Sequence, residues 1–224
     1  IYRICKEFAE KNAYLCMFSK IKYLNSNNNK KLRDKIFNFK SGEMSYQKDI
    51  SQVNICISYN GKEYGNKDRI YNDIAANVIG GSMSSRLFQE IREKKGLAYS
   101  VYTYNQYYNK GGVISTYIGT NIENYKDAVK ITLNEFKKLK EKGITKFELQ
   151  KAKNKYLSKI AFSMENPRSR MSILGNYFTR KGKILNIEDL KEEIKAVNLE
   201  KINNYLNKEF LEPNITILGN IKGR

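Results

Sequence analysis

Arg92 and Tyr99 are the side chains of this sequence whose chemistry and spacing suggest a reacting site. A guanidinium presents a planar fork of donors to a carbonyl or carboxylate, and a phenol donates to an oxyanion. Together they could hold a peptide at a carbonyl under attack. Both lie in the segment GGSMSSRLFQEIREKKGLAYSV, Gly80 to Val101. Its glycines let the chain turn sharply into a short helix and out again, setting the last helical turn, with Arg92, beside the first residues of a strand, with Tyr99. The residues alone leave a plainer account open, in which a helix-terminal Arg complements the dipole and a strand Tyr packs on a sheet.

Other chemistries are excluded by what the sequence lacks. The 224 residues include no His, so a Ser-His-Asp triad, a Cys-His dyad or a His-ligated zinc site cannot be built within this chain. Cys5, Cys16 and Cys56, separated by 11 and 40 residues, match no CxxC ligand or redox spacing. They read as small buried thiols in a reducing compartment, and no metal is expected in the chain itself.

Lys and Arg total 41 against 23 Asp and Glu, a net charge of +18 that raises the prospect of a nucleic-acid partner. The kind and placement of the bases argue against it. Nine are Arg and 32 are Lys, accompanied by 26 Asn and 17 Tyr, residues that AT-rich codons encode. Compositional drift thus accounts for much of the surplus. Lys151, Lys155 and Lys159 recur at helical spacing opposite Leu149, Ala152, Tyr156 and Ile160, as on a solvated helix face. The longest apolar run, Ala13 to Phe18, falls far short of the roughly 18 residues of a membrane-spanning helix, so no membrane partner is expected. No signal peptide opens the chain; starting at Ile1 rather than Met, it is expected to lack its natural start, and a targeting segment or a whole preceding domain could have gone with it.

The elements that position Arg92 and Tyr99 follow from periodicity and caps. Ala13 to Phe18 reads as a short buried strand, followed by an Asn-rich turn and a helix bearing Leu32, Ile36 and Phe37. Gln52 to Ser58 alternates as a half-buried strand ending in an Asn60-Gly61 turn. Asp68 is placed to cap a helix that Gly80-Gly81 terminates, and a second short helix from Ser84 or Ser85 stops at Gly96. Tyr99 to Tyr108 and Val113 to Ile118 form a hairpin. Asn121 caps a long helix with Ile122, Tyr125, Val129, Leu133, Phe136 and Leu139 inward; Thr145 and Glu148 form a capping box; Pro167 opens the next helix. Two shorter helices capped at Asn186 and Asn198 precede a last strand, Ile215 to Leu218. The sequence predicts one α+β domain spanning 1–224, a single two-layer unit of about five mainly antiparallel strands covered by helices.

The wording of Gly80 to Val101 resembles the signature stretch of the C-terminal half of the M16 zinc metallopeptidases, the insulinase family that includes the processing peptidases, and most resembles the small bacterial members. Asn12 to Ser19 is similar to that half's opening strand, Gln52 to Tyr59 to its next strand, Thr145 to Arg180 to its paired helices and Ile215 to Gly219 to its closing strand. In the family two α+β halves clasp like a shell. One carries His-x-x-Glu-His and a distant Glu ligand; the other contributes an R-x6-Y pair, which Arg92 and Tyr99 match.

The resemblance implies a substrate-binding half of a zinc-dependent metalloendopeptidase. Tyr99 would donate to the scissile carbonyl as it becomes tetrahedral, and Arg92 would fix the peptide backbone. Zinc and general base would belong to a partner half, so the chain alone would be inactive. Its expected partners are that zinc-bearing half, as subunit or as the rest of a longer chain, and a peptide substrate. A bacterial cytoplasmic setting is implied, with an organelle matrix as the alternative. Ser19-Lys20 departs from the Gly-Asp common among relatives, which puts only a turn in doubt. An inactive scaffold subunit is the second reading and a basic nucleic-acid binder the third.

Overall fold

The alternation of apolar and polar residues in the middle of the chain builds a five-stranded sheet, seen in a computed structural model that describes residues 39–108 and 110–221. The features read at Ala13 to Phe18, Asn25 to Asn29 and Leu32 to Phe37 lie outside the described residues, as do Cys5, Cys16, Ser19-Lys20 and Asn109. The strands are β1 (Gly42–Gln47), β2 (Val53–Gly61), β3 (Ala98–Tyr107), β4 (Gly112–Thr120) and β5 (Asn214–Gly219), in the order β1-β5-β2-β4-β3. All pairings are antiparallel except that of β1 with β5. The fold is the mixed α+β one that the sequence predicts.

β1 is an element not among those read from the sequence. GEMSYQ alternates Met44 and Tyr46 with Glu43, Ser45 and Gln47 over too few residues to define a strand by itself, and among the described residues its ladder is completed by β5, with Gly42 opposite Asn214. Such pairing depends on a long-range contact and leaves little local signal. β2 also runs on through Asn60-Gly61, where a turn was expected, because Gly61 pairs with Gly112 of β4.

The chain divides into two compact units, one running to Lys137 and resuming at Phe210, the other Lys138–Glu209. In the first, Val53, Ile55 and Ile57 of β2 and Ile114 and Ile118 of β4 are buried on one face of the sheet. Ile74, Ala75, Val78 and Ile79 are buried on α1 (Arg69–Gly80). Tyr59, Phe136 and Phe210 add an aromatic cluster with ring centroids 4.5 to 5.5 Å apart. Asp68 does not cap α1: its backbone is already helical and its carboxylate makes no cap bond. The Asn66 side chain instead accepts from the Asp68 amide at 2.8 Å.

α2 (Tyr125–Lys142) crosses the boundary between the units. Asn121 accepts from the Asn124 amide at 3.0 Å, as an opening cap should. The buried stripe passes through Ala128, Thr132, Glu135, Phe136 and Leu139, whereas Val129 and Leu133 are only half-buried. Apolar counting picked the larger side chains, but burial selects the position. Thr132 is accommodated because its hydroxyl donates back to the Ala128 carbonyl at 2.8 Å.

The second unit holds α3 (Lys146–Glu165), α4 (Pro167–Lys181), α5 (Ile187–Ala196) and α6 (Leu199–Lys208). Its caps follow the sequence, and Asn166 adds one not expected there. Thr145 and Glu148 exchange side-chain and backbone bonds, Pro167 stands in the first turn of α4, and Asn166, Asn186 and Asn198 cap the three later helices. Lys151, Lys155 and Lys159 are exposed on α3 while Leu149, Ala152 and Ile160 are buried. Among the described residues no helix is long and apolar enough to cross a membrane.

Candidate functional site

The segment that carries Arg92 begins where α1 meets β3. A Cβ on Gly80 would lie 2.7 Å from the Thr103 amide nitrogen, so only glycine lets α1 end this close to the strand. Leu87 and Ile91, both fully buried, anchor the helical turns that follow. Those turns widen into a π segment, Phe88–Glu93, in which the Lys94 amide donates to the Gln89 carbonyl at 2.9 Å. Gly96 closes it at φ +61°. The Gly96 amide donates to Arg92 O at 3.1 Å, the 5→1 bond of an αL cap, and the Leu97 amide reaches Ile91 O, six residues back, at 2.8 Å.

One residue later β3 starts, and its first step is irregular. Ala98 stands opposite Thr120 and Ser100 opposite Gly119, neighbours on β4, so Tyr99 is the extra residue of a β-bulge. A bulge frees a side chain from the alternation of the strand and re-aims it. Tyr99 is 67% exposed. The Leu97 carbonyl just before it is held by the hydroxyl of buried Thr120. Arg92 is exposed as well, with its guanidinium carbon 5.0 Å from the centroid of the Phe88 ring. The carboxylate of nearby Glu90 is engaged by Lys94 at 2.5 Å.

Arg92 and Tyr99 are thus carried by two backbone devices separated by a single turn, an αL closure at Gly96 and a bulge. Sequence reading found the glycines and the R-x6-Y spacing. It missed the bulge, the Thr120 tie and the Phe88 contact, of which only the last had a local signal, the four-residue spacing from Phe88 to Arg92. A zinc ion of the kind such peptidases use does not fit this chain. It has no His, Cys56 is buried with its thiol pushed up to about 11 by burial, and the described residues contain no cluster of three or more possible ligands.

Comparisons with known proteins identify the family to which this α+β fold belongs. Residues 15–156 match the model of the peptidase M16 inactive domain. The chain belongs to the M16 peptidase family through that domain. It is 37% identical over 175 residues to the uncharacterized zinc protease YmxG of Bacillus subtilis, covering 78% of this chain and 42% of that one. An uncharacterized zinc protease of Rickettsia felis is 33% identical over 170 residues, 75% of this chain and 41% of its own. The chain spans about two-fifths of the length of these relatives. Among solved structures, an M16 inactive domain from Pseudomonas fluorescens superposes with a TM-score of 0.72 at 22% identity, over 80% of this chain and 43% of that one. A protease from Helicobacter pylori gives 0.71 at 19%, over 87% and 52%. At these identities the superpositions establish the fold.

Proposed function

We propose that this chain is the substrate-binding half of a zinc-dependent metalloendopeptidase. Its Arg92 and Tyr99 act on a peptide whose hydrolysis takes place at the metal of a partner half. The observation that carries the reading is the placement of both exposed side chains on backbone held by the αL turn at Gly96 and the bulge that follows it. Tyr99 donates a hydrogen bond to the scissile carbonyl oxygen as negative charge develops there. Arg92 holds the peptide backbone through its planar fork before and during reaction. Phe88 restricts the guanidinium to one side of its ring.

The partner is a zinc-bearing half, supplied as a separate subunit or by the same longer chain, and it brings the metal and the general base. Large apolar side chains left exposed, among them Met83 on the loop before the π segment and Phe162 on α3, support an association that covers them. The scaffold alternative, in which the chain binds no substrate, does not account for an Arg and a Tyr held in the family's spacing at an exposed position.

The experiment is reconstitution. The chain is paired with a zinc half, and cleavage of an unstructured peptide is followed for the parent, Tyr99→Phe and Arg92→Ala. Turnover that depends on both halves and falls in both variants supports the reading, and unchanged turnover in a stably folded Tyr99→Phe pair overturns it.

A further inference from the structure

One face of the sheet is covered: Thr103 of β3 meets Gly80 of α1, and Asn105 and Tyr107 bond to Asp73 of the same helix. On the other face, Tyr102 of β3 stands directly opposite Tyr117 of β4, their ring centroids 5.1 Å apart and tilted at 34°. Tyr102 is 48% exposed, on β3, the outermost of the described strands at that side of the sheet. Tyr117 is the more fixed of the two. Its hydroxyl donates to Asn54 Oδ1 at 2.6 Å, and burial, then the neighbouring Tyr102, raise its phenol above the usual range. Beside this pair the space over Gly119 is filled by the Gln52 side-chain amide, which donates to the Tyr117 hydroxyl at 3.5 Å, and by Ser100 Oγ opposite.

In charge, this face differs from the exposed helices of the chain, such as the Lys-lined face of α3. By the strand alternation and register, none of the strand residues on it, from Met44 of β1 to Tyr104 of β3, is Asp, Glu, Lys or Arg. In a chain of net charge +18 that is a local property, and composition does not produce it. A face with no carboxylate offers a cationic side chain no ion pair, and one with no cation offers an anionic side chain none. What it offers is an aromatic wall backed by a second ring and bordered by neutral hydroxyls, which suits another ring in tilted or offset contact.

We infer that Tyr102, backed by Tyr117, walls a subsite for an uncharged aromatic side chain of the peptide substrate, about three residues from the scissile bond. The inference rests on the reading of Tyr99 as the group at the scissile carbonyl. Tyr102 lies three residues further along β3, and at about 3.3 Å per extended residue the two are roughly 10 Å apart, the span of three residues of an extended peptide.

The test uses the chain paired with a zinc-bearing half and a set of ten-residue peptides carrying Phe, Ala, Lys or Asp at the third residue on either side of the cleaved bond. The parent is expected to favour Phe over Lys or Asp by about tenfold in kcat/KM, mainly through KM. Tyr102→Thr, which keeps a good strand former, should bring the Phe peptide down to the level of the Lys and Asp peptides; Tyr102→Phe should keep the preference. Affinities for the same peptides, measured with the metal chelated, provide a readout without turnover. A parent that hydrolyses nothing yet still discriminates Phe from Lys through Tyr102 in binding supports the subsite and counts against the hydrolytic reading. A preference that survives Tyr102→Thr overturns the inference. So does a Tyr102→Thr chain that stays folded but no longer pairs with the zinc half, since the face is then an interface between halves.

Discussion

The Leu97 amide reaches back to the Ile91 carbonyl at 2.8 Å, and this one bond fixes where the helical segment of Arg92 stops and the strand of Tyr99 starts. It is possible because Gly96, between them, lies at φ +61°, where side chains with a Cβ are strained. No atom stands within 4 Å of the place a Gly96 Cβ would occupy, so substitution there meets a backbone cost and no clash. Gly96→Ala should lower stability by about 1 kcal/mol in denaturant unfolding, with Gly96→Asn milder. In the reconstituted pair it should lower kcat/KM by more than the unfolded fraction explains, because the turn also sets the path of the chain from Arg92 to Tyr99.

Tyr99→Phe removes a donor used mainly as the oxyanion forms. Its kcat in the reconstituted pair should fall by roughly 10- to 1000-fold, about 1.4 to 4 kcal/mol of transition-state stabilisation, with KM moving much less. Arg92→Ala should raise KM as well as lower kcat, since the fork holds substrate before reaction. Thermal unfolding of each variant within a few degrees of the parent separates these effects from misfolding.

Thr120 is fully buried, and its hydroxyl is the tie on the Leu97 carbonyl at the root of the bulge. Thr120→Val keeps the shape and removes the donor, and should cost about 1 to 3 kcal/mol through the stranded carbonyl. Thr120→Ser, retaining the hydroxyl, should recover catalytic efficiency in the pair more fully than stability, because it restores the bond but not the methyl contact.

Cys56 gives a pH signature. Burial pushes its thiol from 9.0 up to about 11, against weaker hydrogen bonds with Ser58 and Ser115 that pull it down. The folded state therefore holds this proton more tightly than the unfolded one. The stability this provides is complete below about pH 9 and is lost as pH rises through 11, on the order of 2 kcal/mol by that point. Chemical unfolding from pH 8 to 11 should show the parent losing that much more than Cys56→Ala. An alkaline slope should persist in the variant, since burial also raises the phenols of Tyr59 and Tyr117.

With no His in the chain, the dialysed protein should retain no stoichiometric zinc and hydrolyse no peptide. Metal analysis after dialysis decides it; one zinc held per chain, or turnover by the isolated chain that a chelator abolishes, would contradict it.

What the sequence by itself determined is local. The turn glycines, the Asn and Thr caps, the hairpin and the R-x6-Y spacing each act within a few residues, so Gly96, Asn186, Thr145 and the spacing of Arg92 and Tyr99 were legible before any fold was known. The family was legible for the same reason, since its signature is one continuous stretch. Tertiary structure decided the rest. β1 exists because β5 pairs with it across more than 160 residues of chain, the buried stripe of α2 runs through Ala128 and Thr132 because packing and not size chooses it, and Tyr99 leaves the strand alternation because Ala98 and Ser100 register against adjacent residues of β4. Register is a property of two strands together. One sequence read along its length states which residues alternate but not which neighbour each will face, and that pairing is what turns a strand tyrosine into an exposed one.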